Sequence, residues 1–125
     1  MYKYDIIKLK QIAEELASSI NPPYIILLQG KLGAGKTTFS QFFLKSILIN
    51  KHQVITSPTF NIINVYETIK GTVWHVDLYR LENKDEVFNL GLLEFIHTGI
   101  ALIEWPEIIY DYVINSNVPY KVIQL

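Results

Sequence analysis

Apolar positions in this chain change period several times, and each change marks an element. In "LKQIAEELASSI", Ile12, Leu16 and Ile20 recur with Ala13 and Ala17 at helical spacing. "NPP" at Asn21 to Pro23 stops that helix. "YIILLQ" is short and continuously apolar, the pattern of a strand buried on both faces. After a glycine-rich stretch, "KTTFSQFFLKSIL" returns to a helical period and carries aromatics suited to packing on a sheet. "SPTFNIINVYET" and "TVWHVDLYRL" then alternate like strands, with "IKG" between them as a hairpin turn.

Asn83 and Glu86 in "NKDE" fit a helix cap with a reciprocal partner three residues on, and Gly91 falls where that short helix would end. "GIALIE" reads as a second buried strand closed by an acid. In the remainder, "YKVIQL" reads as a last strand. The sum is one α/β domain over residues 1–125. The hairpin makes its sheet mixed.

Composition narrows the function classes. Half of the 125 residues are apolar and 16 are Phe, Tyr or Trp, enough for a core without staples. The net charge of −1 offers no global field toward nucleic acid or an anionic membrane. Without cysteine there are no disulfides or thiolate metal sites. The N-terminus lacks the apolar block of a signal peptide, and no apolar run approaches a bilayer span. A soluble, cytoplasmic protein is expected.

The chemistry is concentrated in "GKLGAGKTT", Gly30 to Thr38, which fits G-x-x-x-x-G-K-[ST] between a buried strand and a helix. Gly30, Gly33 and Gly35 permit conformations in which successive N–H groups form an anion nest at a helix N-terminus. Gly33, Ala34, Gly35, Lys36, Thr37 and Thr38 are therefore the candidate nucleotide contacts. Lys36 places a point charge against the outer phosphates. The Thr37 hydroxyl can ligate Mg²⁺, and Thr38 is placed for an inner phosphate.

Magnesium beside phosphate also needs a carboxylate. Glu104 ends "IALIE" in the Walker B pattern and is the favoured metal-site acid. Asp77 shares a strand face with Val73 and His75, and is the candidate second metal-site group or water-positioning base. Ser57 and Thr59 flank Pro58 and suit either a γ-phosphate-sensing segment or a plain loop-to-strand turn. Arg80 suits a phosphate or a neighbouring carboxylate, the latter being commoner, and Trp105 is expected in the core. His52, His75 and His97 show no ligand spacing, so no structural metal is assigned. "NKDE" lacks the fourth-position Asp of a guanine-reading N-K-x-D segment, and capping explains it better.

Taken in order and spacing, "GKLGAGKTTF", "SPTFNIINVYE", "HVDLYRL", "LGL" and "LIEWPE" resemble the TsaE (YjeE) family, from Tyr24 to Glu107. Those are ATP-binding proteins required in bacteria for threonylcarbamoyladenosine at tRNA position 37. The resemblance implies a P-loop NTPase-like three-layer α/β/α fold in which Lys36, Thr37 and Thr38 hold ATP, Thr37 and Glu104 bind Mg²⁺, and Asp77 is the family's functionally important acid. It further implies a slow ATPase that joins a TsaB–TsaD pair, meets tRNA only through that complex and is not itself the transferase. Two departures stand out: Lys31 where the family commonly has an acid, and an end soon after the "WPE" segment, from which the last strand or strands are expected to be missing or reduced. A small-molecule kinase is the alternative, disfavoured because Arg80 is the only arginine and no insertion is long enough for a lid. An ATP-holding interaction module without useful hydrolysis is a third reading.

Overall fold

The structure, a computed structural model, describes residues 6–31, 33, 35–58 and 61–125. Its elements in order are α1 (Ile6–Ser19), β1 (Tyr24–Gln29), α2 (Lys36–Ile47), β2 (Ile63–Thr68) and β3 (Gly71–Asp77). There follow α3 (Lys84–Phe88), α4 (Leu92–Phe95), β4 (Ile100–Glu104), a 3-10 turn at Pro106–Ile109 leading into α5 (Tyr110–Ile114), and β5 (Tyr120–Gln124). Five strands form one sheet in the order β2-β3-β4-β1-β5. β1 runs parallel to β4 and β5, β3 parallel to β4, and only β2 is antiparallel. The expected mixed α/β sheet with a hairpin is what forms.

Strand alternation sorts the core into two layers. Ile26, Leu28, Val73, Ile100 and Leu102 face α1 and α2, where they meet Leu9, Ala13, Phe39 and Phe43. Ile25, Leu27, Val76, Ala101 and Ile103 face the other way, onto Val87, Leu92, Ile96 and Val113. β4 lies between β3 and β1, and all five of its residues are buried. That explains why its sequence is a continuous apolar run rather than an alternation. The acid at its end, Glu104, is therefore buried by its position in the sheet.

Local chemistry closes the elements. The hairpin turns through Ile69 and Lys70, with Gly71 at φ +94°. The Thr68 hydroxyl donates to the Gly71 carbonyl (2.7 Å) and accepts from the Lys70 N–H (3.0 Å). Lys70 Nζ also donates to the carbonyls of Ser18 and Ile20, a cation at the end of α1, whose own last turn has no basic residue. Asn83 caps α3 by accepting from the Glu86 N–H, as its sequence predicts. The return bond is offset by one residue, because the Glu86 carboxylate accepts from the N–H of Glu82 rather than of Asn83. β2 also begins later than its alternation suggests, since Ile62 lies at φ +65° and breaks the extended backbone before Ile63.

Candidate functional site

The carboxyl ends of β1, β3 and β4 meet beside the N-terminus of α2, where an open α/β sheet forms its ligand crevice. The crevice there is a cavity of about 380 Å³. Gly33, Gly35, Lys36, Thr37 and Thr38 line one side of it, and Asp77 and Glu104 another. These sequence-derived candidates are thus brought together. Ala34 and Thr59 lie outside the described residues. Ser57 and Arg80 are also at the cavity wall. Lys31 is exposed.

Gly35 precedes α2 at φ +104°, a left-handed conformation that a side chain would strain. It turns the chain so that Lys36 begins the helix and points back under the loop. The Lys36 side chain is buried, and its Nζ donates to the carbonyls of Gly30 (2.6 Å) and Lys31 (2.8 Å). It also lies 4.1 Å from the centre of the Trp105 ring, within cation–π range. Burial draws the Lys36 ammonium below the usual lysine range, against the opposing pull of Glu104, Asp77 and Glu107.

Trp105 departs from its sequence expectation. It is half-buried at the cavity wall and packs on Tyr79, with ring centres 4.8 Å apart. The cause is its backbone, at φ +56°, held between the last residue of β4 and Pro106. Proline disfavours the right-handed helical region for the residue before it. The turn that results swings the indole out of the core and over Lys36.

Asp77 and Glu104 are direct register partners on adjacent parallel strands, so their side chains leave the sheet on the same face. The Asp77 carboxylate accepts from the Tyr79 N–H at 2.9 Å. Burial nonetheless pushes the Asp77 carboxyl above the usual range, and Glu104 adds to the shift. The Tyr79 N–H, His75 and Lys36 oppose it.

Glu104 is only 3% exposed. One of its oxygens, Oε2, lies 2.6 Å from Nε2 of His75, which is fully buried. The Thr37 hydroxyl sits 3.4 Å from both carboxylate oxygens, longer than a good O–H···O bond. A hydroxyl and a carboxylate held slightly apart beside the N-terminus of α2 are the oxygen donors a hard divalent cation takes alongside phosphate. Among the described residues no group of three or more His, Cys, Asp or Glu is arranged to hold a metal by itself. A cation here would draw its remaining ligands from phosphate and water.

Sequence reasoning missed His75 as a partner of Glu104. Alternation along β3 places His75 beside Asp77, but which strand lies next to β3, and in what register, is not written in the local pattern.

The sequence model for "Threonylcarbamoyl adenosine biosynthesis protein TsaE" matches residues 5–124. A tRNA threonylcarbamoyladenosine biosynthesis protein TsaE from Rickettsia felis is 44% identical over 100 residues, covering 80% of this chain and 58% of that protein. Its namesake from Bacillus subtilis is 40% identical over 103 residues, covering 82% and 63%. The chain thus spans less than two-thirds of the length of either relative. A crystal structure of Bacillus subtilis YdiB superposes with a TM-score of 0.64 at 28% identity, covering 98% of this chain and 73% of that one.

Proposed function

The chain belongs to the TsaE family, and from that premise we propose that it is a Mg²⁺-dependent ATP-binding protein and slow ATPase. In this reading it is an accessory factor in forming threonylcarbamoyladenosine at tRNA position 37. It works in the cytoplasm with a TsaB–TsaD-type complex and reaches tRNA only through that complex. The family's name carries the pathway. The observation that carries the chemistry is the placement of Thr37 3.4 Å from both oxygens of the buried Glu104, at the foot of the loop that contains Lys36.

The residues divide the work as follows. The loop N–H groups and the N-terminus of α2 attract the phosphates. Lys36 exchanges its two loop carbonyls for phosphate oxygens. Thr37 and Glu104 hold the cation, which when bound offsets phosphate charge. Asp77, with its carboxyl pushed toward a better proton acceptor, orients the attacking water. With a single arginine in the sequence and no insertion long enough for a lid, hydrolysis here serves a change of state read by the partner. That use favours a slow ATPase over a small-molecule kinase.

ATP turnover with and without a TsaB–TsaD pair, beside a Lys36→Ala variant, tests this reading. Binding of ATP, stimulation by the pair and loss of both in the variant are expected. Absence of nucleotide binding by the wild type, or an unchanged Lys36→Ala, sinks it.

A further inference from the structure

We propose that His75 is a positioning residue: its Nε2–H fixes the orientation of the Glu104 carboxylate and so sets the affinity of the site for a divalent cation. This rests on the reading of Thr37 and Glu104 as cation ligands.

Three features of the geometry carry it. His75 occupies an interior position of β3, in line with the apolar Val73 and on the face packed under α2, where an aliphatic residue would fill the space at no polar cost. Its one hydrogen bond goes to Glu104, at 2.6 Å, while Nδ1 is buried with no partner among the described residues. An imidazole kept for packing and its own satisfaction would find partners for both nitrogens; this one leaves one bare and commits the other to the carboxylate. Finally, Thr37 is equidistant from Oε1 and Oε2, so the carboxylate turns its open edge toward the hydroxyl. Rotation of that group would break the His75 bond.

The bond requires a proton on Nε2, so that this nitrogen donates to the carboxylate. Hydrogen bonds that orient metal ligands typically change metal affinity by about ten- to a hundredfold when removed. Asp77 lies on the same face as Glu104, and its negative charge adds a second reason to hold Glu104 in place.

The test uses Mn²⁺ as the probe, with free Mn²⁺ followed by electron paramagnetic resonance in the presence of ADP and excess protein. ADP affinity in EDTA is measured beside it. In His75→Leu, Mn²⁺ affinity is expected to fall about tenfold while metal-free ADP affinity stays within about twofold. His75→Gln, which restores an amide N–H at the Nε2 position, is expected to recover most of the loss. Should His75→Leu not fold, His75→Asn takes its place, because its shorter amide falls short of Glu104.

Unchanged Mn²⁺ affinity in His75→Leu, beside a loss in Glu104→Gln, overturns the proposal and leaves the cation site standing. Unchanged affinity in Glu104→Gln overturns both. Equal losses in His75→Leu and His75→Gln, or a parallel loss of metal-free ADP affinity, assign His75 to packing instead. Nitrogen-15 spectra of the wild type give a check free of variants: a proton on Nε2 is expected, and one on Nδ1 alone overturns the proposal.

Discussion

Lys36 Nζ lies 2.6 Å from the carbonyl oxygen of Gly30, two residues of one loop joined by the side chain that is read as its phosphate contact. The ammonium is thus satisfied before any nucleotide arrives, by this carbonyl, that of Lys31 and the face of Trp105. Binding then exchanges one set of acceptors for another of higher charge. A hydrogen bond to a charged group contributes about 1.5–3 kcal/mol. Lys36→Met, which keeps the stem against Trp105, should therefore weaken ATP binding by about ten- to a hundredfold. The melting midpoint should barely move, because the desolvation of the buried ammonium offsets the two hydrogen bonds it makes to the loop carbonyls. Equilibrium binding of a fluorescent ATP analogue beside thermal melts checks both halves.

Asp77 predicts a trade between stability and function. In the fold its carboxyl binds a proton more readily than in the unfolded chain, where the ordinary value is 3.8. Its contribution to stability is therefore greatest below that value and is lost as pH rises through the raised one. Asp77→Asn keeps an oxygen for the Tyr79 N–H and removes the half-buried charge. It should stabilise the nucleotide-free protein at pH 7 by about 0.5–1 kcal/mol, with the advantage shrinking as pH falls toward 3.8. ATP turnover should drop at the same time. Urea titrations at pH 7 and pH 4 read the first effect, and an advantage that grows toward acid would refute the assignment.

The loop and both acids were legible in the sequence because each is a local signal. Glycines at fixed spacing precede a helix, and an apolar run ends in Glu104. The pairing of β3 with β4 is not local. It aligns Asp77 with Glu104 and brings His75 within 2.6 Å of the same carboxylate, through contacts almost thirty residues apart in the chain. Trp105 was misjudged for a related reason. Its size argues for the core, while a left-handed backbone between β4 and Pro106 turns it into the site. Ile62 likewise looks like strand by alternation and is held at positive φ.

Trp105 gives the site an optical reporter. Lys36 and Tyr79 both contact its ring, whereas Trp74 stacks on Phe95, ring centres 4.3 Å apart, away from the cavity. Withdrawal of Lys36 by a nucleotide should change the emission of Trp105 alone. ATP titrations should give a fluorescence change that survives in Trp74→Phe and vanishes in Trp105→Phe. A response that instead follows Trp74 would mean that the nucleotide acts on the opposite layer.

The Trp74–Phe95 stack depends on Gly99, which is buried just before β4. A Cβ at Gly99 would collide with Phe95 Cζ and fall 2.9 Å from the Thr72 carbonyl oxygen. The ring cannot retreat without unstacking from Trp74, and the carbonyl belongs to the β3 backbone. Gly99→Ala should therefore destabilise the fold by about 1–3 kcal/mol, the usual cost of overpacking. The affected contacts lie at the end of the sheet opposite the phosphate loop, so ATP affinity should stay within about twofold at temperatures where the variant is folded. Chemical denaturation with nucleotide binding measured in parallel separates the two. A Gly99→Ala protein of wild-type stability would show that the Phe95 side of this layer is loosely packed, and that the stack is not what holds β4 against α4.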